Sequence, residues 1–305
     1  MVKNYSIKED FVNSRLDRWF RRNVSEAPQS LIEKHLRKGN IKVNYKKVKS
    51  SYKLFLNDHI TVKDLNIVPD KNKDNKEKYK PTKKEISTTS SIFIENNDNF
   101  VVINKPPGIS VQSGTKSKRN ILDILRKTQE FNESSPFTVH RIDKDTTGVL
   151  LIAKTRKYAQ LFTSLFRIRK IHKIYLGIVL GELDEKKGTF VDNLVYIEGK
   201  KKTTLKAITH YKVIDSNNSY SFLKLNPETG RKHQLRKQLL LHGHPILGDS
   251  KYRLSANSFK KLNRLMLHAY SINFSINKEK FKFTADIPLD FKNLLKEKYL
   301  KSSLL

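Results

Sequence analysis

Apolar residues fall into helical and strand-like registers along the chain. Val12, Leu16, Trp19 and Phe20 recur at i, i+4, i+7 and i+8, which predicts an amphipathic helix. Pro28 opens a second predicted helix and Gly39 closes it, with Leu31, Ile32, His35 and Leu36 on its buried face. Ile41-Lys42-Val43-Asn44 alternates like a strand, and strand-like pieces continue from Tyr52 to Val62. Residues 69–90 then lose nearly all apolar side chains, so they cannot bury enough surface to offset their ordering entropy. Beyond them, Ile92–Ile94, Phe100–Ile103, Leu150–Ala153, Ile174–Leu180 and Tyr220–Leu225 read as strands. Phe291, Leu294, Leu295, Tyr299 and Leu300 have helical spacing. Strands dominate without regular βα alternation, which predicts an α+β protein. The expected layout is a module at 1–66, a flexible basic linker at 67–90 and a body at 91–305.

Charge changes this picture. Among 305 residues, 61 Lys and Arg face 30 Asp and Glu, a formal net charge of +31. The natural partner is a polyanion, with RNA or DNA ahead of an anionic membrane surface. In the module, Lys34, Arg37, Lys38, Lys42, Lys46, Lys47 and Lys49 crowd sixteen positions with no acid among them, a candidate phosphate-binding face. The linker is Lys-rich as well.

Composition also removes reaction classes. The chain has no cysteine, which excludes disulfides, Cys-ligated zinc, iron–sulfur clusters and thiol catalysis and fits a reducing compartment. The sequence holds neither a P-loop motif nor a dinucleotide fingerprint, and its histidines lack metalloprotease spacing. Met1–Tyr5 carries no apolar leader and no run approaches 18 apolar residues, so a cytoplasmic protein without a membrane helix is expected.

Three polar clusters remain as candidate chemistry. His140-Arg141-Ile142-Asp143-Lys144-Asp145 immediately precedes a strand, where a turn carboxylate can project into a cleft; taken alone, either Asp reads better as a turn cap. Lys173 and Tyr175 share one face of another strand. Gly230-Arg231-Lys232-His233-Gln234-Leu235-Arg236 brackets His-Gln with two guanidinium groups, whose forks match carboxylates and phosphates.

These clusters resemble a known family. The run H-R-I-D-K-D-T-T-G-V-L-L-I-A-K (140–154) resembles the signature of the RluA family of pseudouridine synthases. Asn104-Lys105-Pro106-Pro107-Gly108 is similar to its N-K-P-x-G turn, and 230–236 with Gly243–Asp249 to its G-R-T-H-Q-I/L-R and G-H-P-I-x-G-D elements. Leu267-His268-Ala269 with Ala285–Phe291 resembles the C-terminal elements, so the likeness runs from residue 92 to about 295 in order. Residues 15–17, 36–44, 53–54 and 58 resemble an alpha-L RNA-binding module. Residues 28–53 and 262–269 look most like the RluC subgroup, with RluD the nearest rival. The departures are Gln112 for His, Ile142 for Leu, Thr147 for Ser and Asp286 for Pro.

The resemblance implies a pseudouridine synthase fold with a mixed, largely antiparallel sheet, plus a small N-terminal α/β RNA-binding domain. It implies isomerisation of uridine to pseudouridine in 23S rRNA, on free RNA or a precursor large-subunit particle, without a cofactor. The histidine spacing predicts no metal, and a monomer is expected because a mobile basic segment offers no self-complementary interface. Asp143 is the implied catalytic carboxylate, attacking ribose C1′ or abstracting a ribose proton. Arg236 pairs with it and Tyr175 stacks on uracil. Arg141 fills the space left by the flipped base and Leu235 adds an apolar wall. His140, Lys173, Arg231, His233 and Gln234 are implied substrate contacts. Arg15 joins the seven basic residues of the module in RNA binding. A tRNA-directed synthase and a non-catalytic rRNA-binding assembly factor are the alternatives.

Overall fold

The computed structural model describes residues 2–25, 27–63, 79–113, 119–131, 134–198, 201–254, 262 and 264–301. The chain divides into two compact units, Met1–Glu77 and Lys78–Leu305.

The first unit contains β1 (Val2–Ser6), α1 (Leu16–Asn23), α2 (Gln29–Lys38), β2 (Ile41–Val43) and β3 (His59–Lys63). The strands form an antiparallel sheet in the order β1-β3-β2. Helix α1 buries Leu16, Trp19 and Phe20. Val12, expected in that helix, lies outside it: Asn13 has φ 63°, a left-handed kink that ends the preceding turn. Pro28 precedes α2, and Gly39 ends it at φ 78°, its N–H closing onto the last-turn carbonyls. Ile32 and Leu36 are buried, whereas Leu31 and His35 are only half-buried.

The second unit begins with α3 (Lys83–Thr89), inside the stretch expected to be linker. Thr82 accepts the Glu85 N–H while Glu85 accepts the Thr82 N–H, a capping box that nucleates a helix without apolar periodicity. That device is why the expectation fails at 83–89; linker residues 67–78 lie outside the described residues. There follow β4 (Phe93–Asn96), β5 (Phe100–Lys105), α4 (Ile121–Leu125), β6 (Phe137–Thr138), β7 (Thr147–Ala153) and α5 (Arg156–Arg167). After them come β8 (His172–Leu180), β9 (Lys187–Glu198), β10 (Lys201–Asn217), β11 (Tyr220–Pro227), α6 (Gln234–Leu241), β12 (Leu267–Ile276), β13 (Glu279–Thr284) and α7 (Leu289–Glu297).

Ten strands make one sheet, ordered β4-β5-β7-β12-β8-β11-β10-β9, with β13 beside β12 and β6 beside β7. The β7–β12 pair is parallel and the others are antiparallel. This is the mixed, largely antiparallel α+β arrangement expected. Strands β5 and β7 are covered on both faces, which accounts for their unbroken apolar runs. Val101, Ile103, Leu150 and Ile152 pack toward α4, while Phe100, Val102, Val149 and Leu151 pack toward α5. Helix α7 adds Phe291, Leu294 and Leu295 to a third cluster with β8, β11 and α6.

The β7–β12 junction positions the site. Gly148 lies opposite Ala269 at φ 106°, and a Cβ there would stand 2.1 Å from the Ala269 carbonyl oxygen. Only glycine permits that approach. Beside it, His268 Nε2 lies 3.3 Å from the Ala285 carbonyl, which can only accept, so Nδ1 receives the Thr147 hydroxyl at 2.8 Å.

Candidate active site

Four segments converge at one end of the central strands: the loop before β7, the start of β8, the loop after β11, and the first turn of α6. Together they line a cleft of about 540 Å³. All ten residues named above as catalytic or substrate-contacting in the body line it.

Asp143 is the cleft's half-buried carboxylate, its side chain 23% exposed. Its loop is pinned from below by Lys105, which is fully buried. Lys105 Nζ donates to the carbonyls of Pro106 (2.7 Å), Ile109 (3.0 Å) and Lys144 (2.9 Å). Burial draws this amine down to about 7, and the charges of Asp145 and Asp143 oppose that pull. Three accepted hydrogens require the ammonium form. The N-K-P turn is thereby tied to the residue beside Asp143.

Arg236 reaches Asp143 from the first turn of α6. Its Nη1 donates to Asp143 Oδ2 at 3.1 Å. Its Nε and Nη2 grip Asp249 at 2.6 and 2.7 Å, a bidentate fork. Asp249 is fully buried and also accepts the N–H groups of Lys251 and Tyr252. Burial opposes charge on Arg236, but Asp249 first and then Asp143 more than compensate, so its pKa rises. The Asp249 carboxyl is lowered because Arg236 and two backbone donors outweigh its burial. The Tyr252 ring lies 5.0 Å from the guanidinium. Arg236 therefore cannot swing away from Asp143 without leaving a buried carboxylate unpaired.

His233 begins α6 in the left-handed region at φ 54°. Its Nδ1 is 2.9 Å from the Tyr252 hydroxyl, and its Nε2 faces Asp143 Oδ1 at 3.8 Å. Burial lowers this imidazole despite Asp143 pulling it upward. Tyr175 enters from β8, with its hydroxyl pushed up by burial and by the nearby Asp143 charge. It is a neutral aromatic wall at neutral pH. Leu235 is buried beside it in the lining, and Arg141 stands exposed with no pairing group among the described residues.

Two expected substrate contacts that line the cleft also bond within the fold. His140 Nε2 accepts the Leu151 N–H at 2.9 Å, and its ring lies on Phe166. Burial, with help from Lys173, holds this imidazole down at about 3, so it stays neutral. Gln234 accepts from the Thr229 hydroxyl and the Arg231 N–H and donates to the Ile208 carbonyl and the Thr209 hydroxyl. Its amide has no hydrogen-bonding capacity left for a ligand. Arg231 retains free guanidinium donors after bonding the Lys206 carbonyl through Nε. Gln112, where the family pattern has His, is exposed outside this lining, with Thr138 Oγ1 3.5 Å away.

Asp249, Tyr252 and Lys105 received no role from sequence. Asp249 and Lys105 sit in quoted motifs, and that position was their available signal. Tyr252 follows Asp249 by three residues, and only the folded loop shows its hydroxyl meeting His233.

In the first unit, Lys34, Arg37, Lys38, Lys46, Lys47 and Lys49 are exposed and Lys42 is half-buried. No described acid pairs with any of them. Arg15 is different. Its guanidinium holds the nearly buried Asp17 through contacts of 3.1 and 2.6 Å, so its charge is locally neutralised.

A family model described as RNA pseudouridylate synthase matches residues 99–241. Ribosomal large subunit pseudouridine synthase C of Buchnera aphidicola subsp. Baizongia pistaciae (strain Bp) is 34% identical, covering 95% of this chain and 96% of its own. The protein of the same name from Vibrio vulnificus (strain CMCP6) is 32% identical, over 90% of this chain and 89% of its own. The solved structure of Human RNA Pseudouridylate Synthase Domain Containing 4 superposes with a TM-score of 0.61 at 26% identity, over 71% of this chain and 96% of that one. These matches span the motifs that build the Asp143 cleft, and the chain belongs to the RNA pseudouridylate synthase family, as an isomerase of the RluA type.

Proposed function

We propose that this protein converts uridine to pseudouridine in large-subunit ribosomal RNA, with Asp143 as its catalytic carboxylate. The observation that carries the assignment is the Asp143–Arg236–Asp249 chain at the floor of the cleft, with Tyr175 in the same lining. The N1–C1′ bond of the target uridine breaks, the uracil turns, and C5 bonds to C1′. C5 loses a proton and N1 gains one, so atoms and electrons balance without a redox step. Asp143 starts the reaction by attacking C1′ or by taking a ribose proton, and both routes use the same oriented oxygen. A carboxylate needs no general base to act at neutral pH. Tyr175, held neutral, supports the uracil face.

The target base must leave its stack to reach this cleft, and the unpaired Arg141 at the rim is placed to fill the gap. The relatives' printed name supports the large ribosomal subunit as the source of the RNA. The unpaired basic face of residues 34–49 supports binding of folded RNA through its phosphates. We assign the protein to the cytoplasm as a monomer, the location resting on its bacterial relatives' printed ribosomal role.

The test is tritium release from unmodified large-subunit rRNA labelled with 5-tritiated uridine. Wild type should release tritium, and Asp143→Asn should fall to background, at least about 10³-fold lower, because the carboxylate that attacks C1′ or takes the ribose proton is gone. Equal release by both would remove Asp143 from its role. Release from tRNA alone would replace the ribosomal substrate.

A further inference from the structure

Lys173 is a basic residue of the cleft that is largely withdrawn from solvent and yet has no counter-ion among the described residues. It lies two residues before Tyr175 on β8, so the two side chains share a face, and both line the cleft. Three other cations of the lining have acceptors: Arg236 has Asp143 and Asp249, Arg169 has Glu228, and Arg231 has the Lys206 carbonyl; Arg141, which has none among the described residues, stands exposed in solvent. No described residue hydrogen-bonds or ion-pairs with Lys173 Nζ. Burial alone brings this amine down to about 8, with no acid opposing the shift. An ammonium partly withdrawn from water without a counter-ion is costly, and proteins ordinarily pair it.

The space in front of it is open. A Cβ added to Gly230 would lie 3.9 Å from Lys173 Nζ and within 4 Å of no other non-adjacent residue. Gly230 thus leaves a gap between the ammonium and the turn after β11. Two residues along a strand span about 7 Å, so Lys173 is offset from Tyr175 by roughly the reach from a base to a neighbouring backbone phosphate.

We propose that Lys173, facing the bare backbone of Gly230, forms a phosphate subsite for the phosphodiester adjoining the target uridine. This rests on reading the Asp143–Tyr175 cleft as the uridine site. The phosphate supplies the missing counter-charge, and its capture fixes the nucleotide's sugar over Asp143. Lys173 is then a binding residue whose cation is completed by substrate, unlike Arg236, whose partners belong to the protein.

The test uses the full-length enzyme and RNA carrying one methylphosphonate, 5′ or 3′ of the target uridine. With ordinary RNA, Lys173→Met should raise KM about 10- to 100-fold, the range of a charge-assisted hydrogen bond, and Lys173→Arg should recover most of it. One of the two methylphosphonate RNAs should raise the wild-type KM by a similar factor. That same RNA should raise the Lys173→Met KM no further. Gly230→Val, which keeps the charge but fills the gap, should behave like Lys173→Met. If the Lys173→Met and methylphosphonate effects multiply at both positions, or if Lys173→Met lowers kcat alone, the subsite is wrong. The same four-way comparison by RNA binding in an Asp143→Asn background reads the subsite without turnover. It therefore separates failure here from failure of Asp143 as the catalytic group.

Discussion

The cleft around Asp143 and the basic face of the N-terminal module hold their charges in opposite ways. In the cleft, the Arg236 side chain is 7% exposed and three of its nitrogens contact two carboxylates. On the module, Lys34, Arg37, Lys38, Lys46, Lys47 and Lys49 stand in solvent without a paired acid. A reacting carboxylate needs one direction, and a rigid bidentate pair supplies it. Phosphate attraction needs only positive potential, which mobile lysines provide at little cost in order. Arg15 marks the boundary between the two regimes, because it sits in the module yet holds Asp17 as Arg236 holds Asp249.

The sharpest way to break this comparison is Asp249→Ala. It leaves a buried guanidinium with half its counter-charge, and removing one partner of such a pair destabilises by about 3–5 kcal/mol. Activity should fall by about 10² or more at temperatures where the variant is still folded, because Asp143 loses its fixed partner. Denaturant unfolding and single-turnover rates measure the two effects separately. An unchanged rate in folded protein would show that Asp249 only stabilises. Removing any one module lysine should leave stability within about 0.5 kcal/mol.

Much of the cleft was legible in the sequence because its parts are local. Asp143 precedes an apolar strand, Lys173 and Tyr175 alternate on one strand, and Arg231–Arg236 form one loop and helix turn. Local periodicity is silent on the contacts that orient them: the pairing of Arg236 with Asp143, across 93 residues, was expected only from the family resemblance, and that of His268 with Thr147, across 121, from neither. The misreadings share a cause as well. Thr82–Glu85 caps a helix by hydrogen bonds that carry no apolar signature, and Asn13 ends a turn through backbone geometry. His140 and Gln234 line the cleft, but their motifs cannot show that the Leu151 N–H already occupies Nε2 of His140 and that the Gln234 amide is bonded within the fold.

An intermediate effect concerns pH. An unfolded histidine titrates near 6.5, whereas burial holds His268 down at about 4 in the folded chain, with its Ala285 hydrogen bond opposing the shift only in part. Between those values the unfolded state binds the extra proton, so stability is complete above pH 6.5 and declines as pH falls toward 4. The loss reaches about 3 kcal/mol for this residue. His140, held at about 3, extends the loss to lower pH. Unfolding free energies measured from pH 7 to 4 should show this decline, and His268→Gln should flatten it while lowering stability at pH 7. A wild-type profile flat across that range would mean that neither ring is buried neutral.

The smallest effect on the fold sharpens the comparison most. Lys42 and Lys47 flank Gly39 at the end of α2, and Lys46 follows β2. Replacing all three by alanine should leave unfolding and kcat unchanged, since none holds a structural partner among the described residues. Binding should weaken, and the dependence of log affinity on log salt should become shallower by about 0.7–0.9 for each phosphate that is no longer neutralised. Arg15→Ala should do the reverse: it should reduce stability by unpairing Asp17 and leave the salt slope nearly intact. If Arg15→Ala changed the salt slope as a module lysine does, pairing with Asp17 would not remove its charge from RNA. The division between oriented and unoriented cations would then rest on burial alone, because Arg15 is 39% exposed and Arg236 is not.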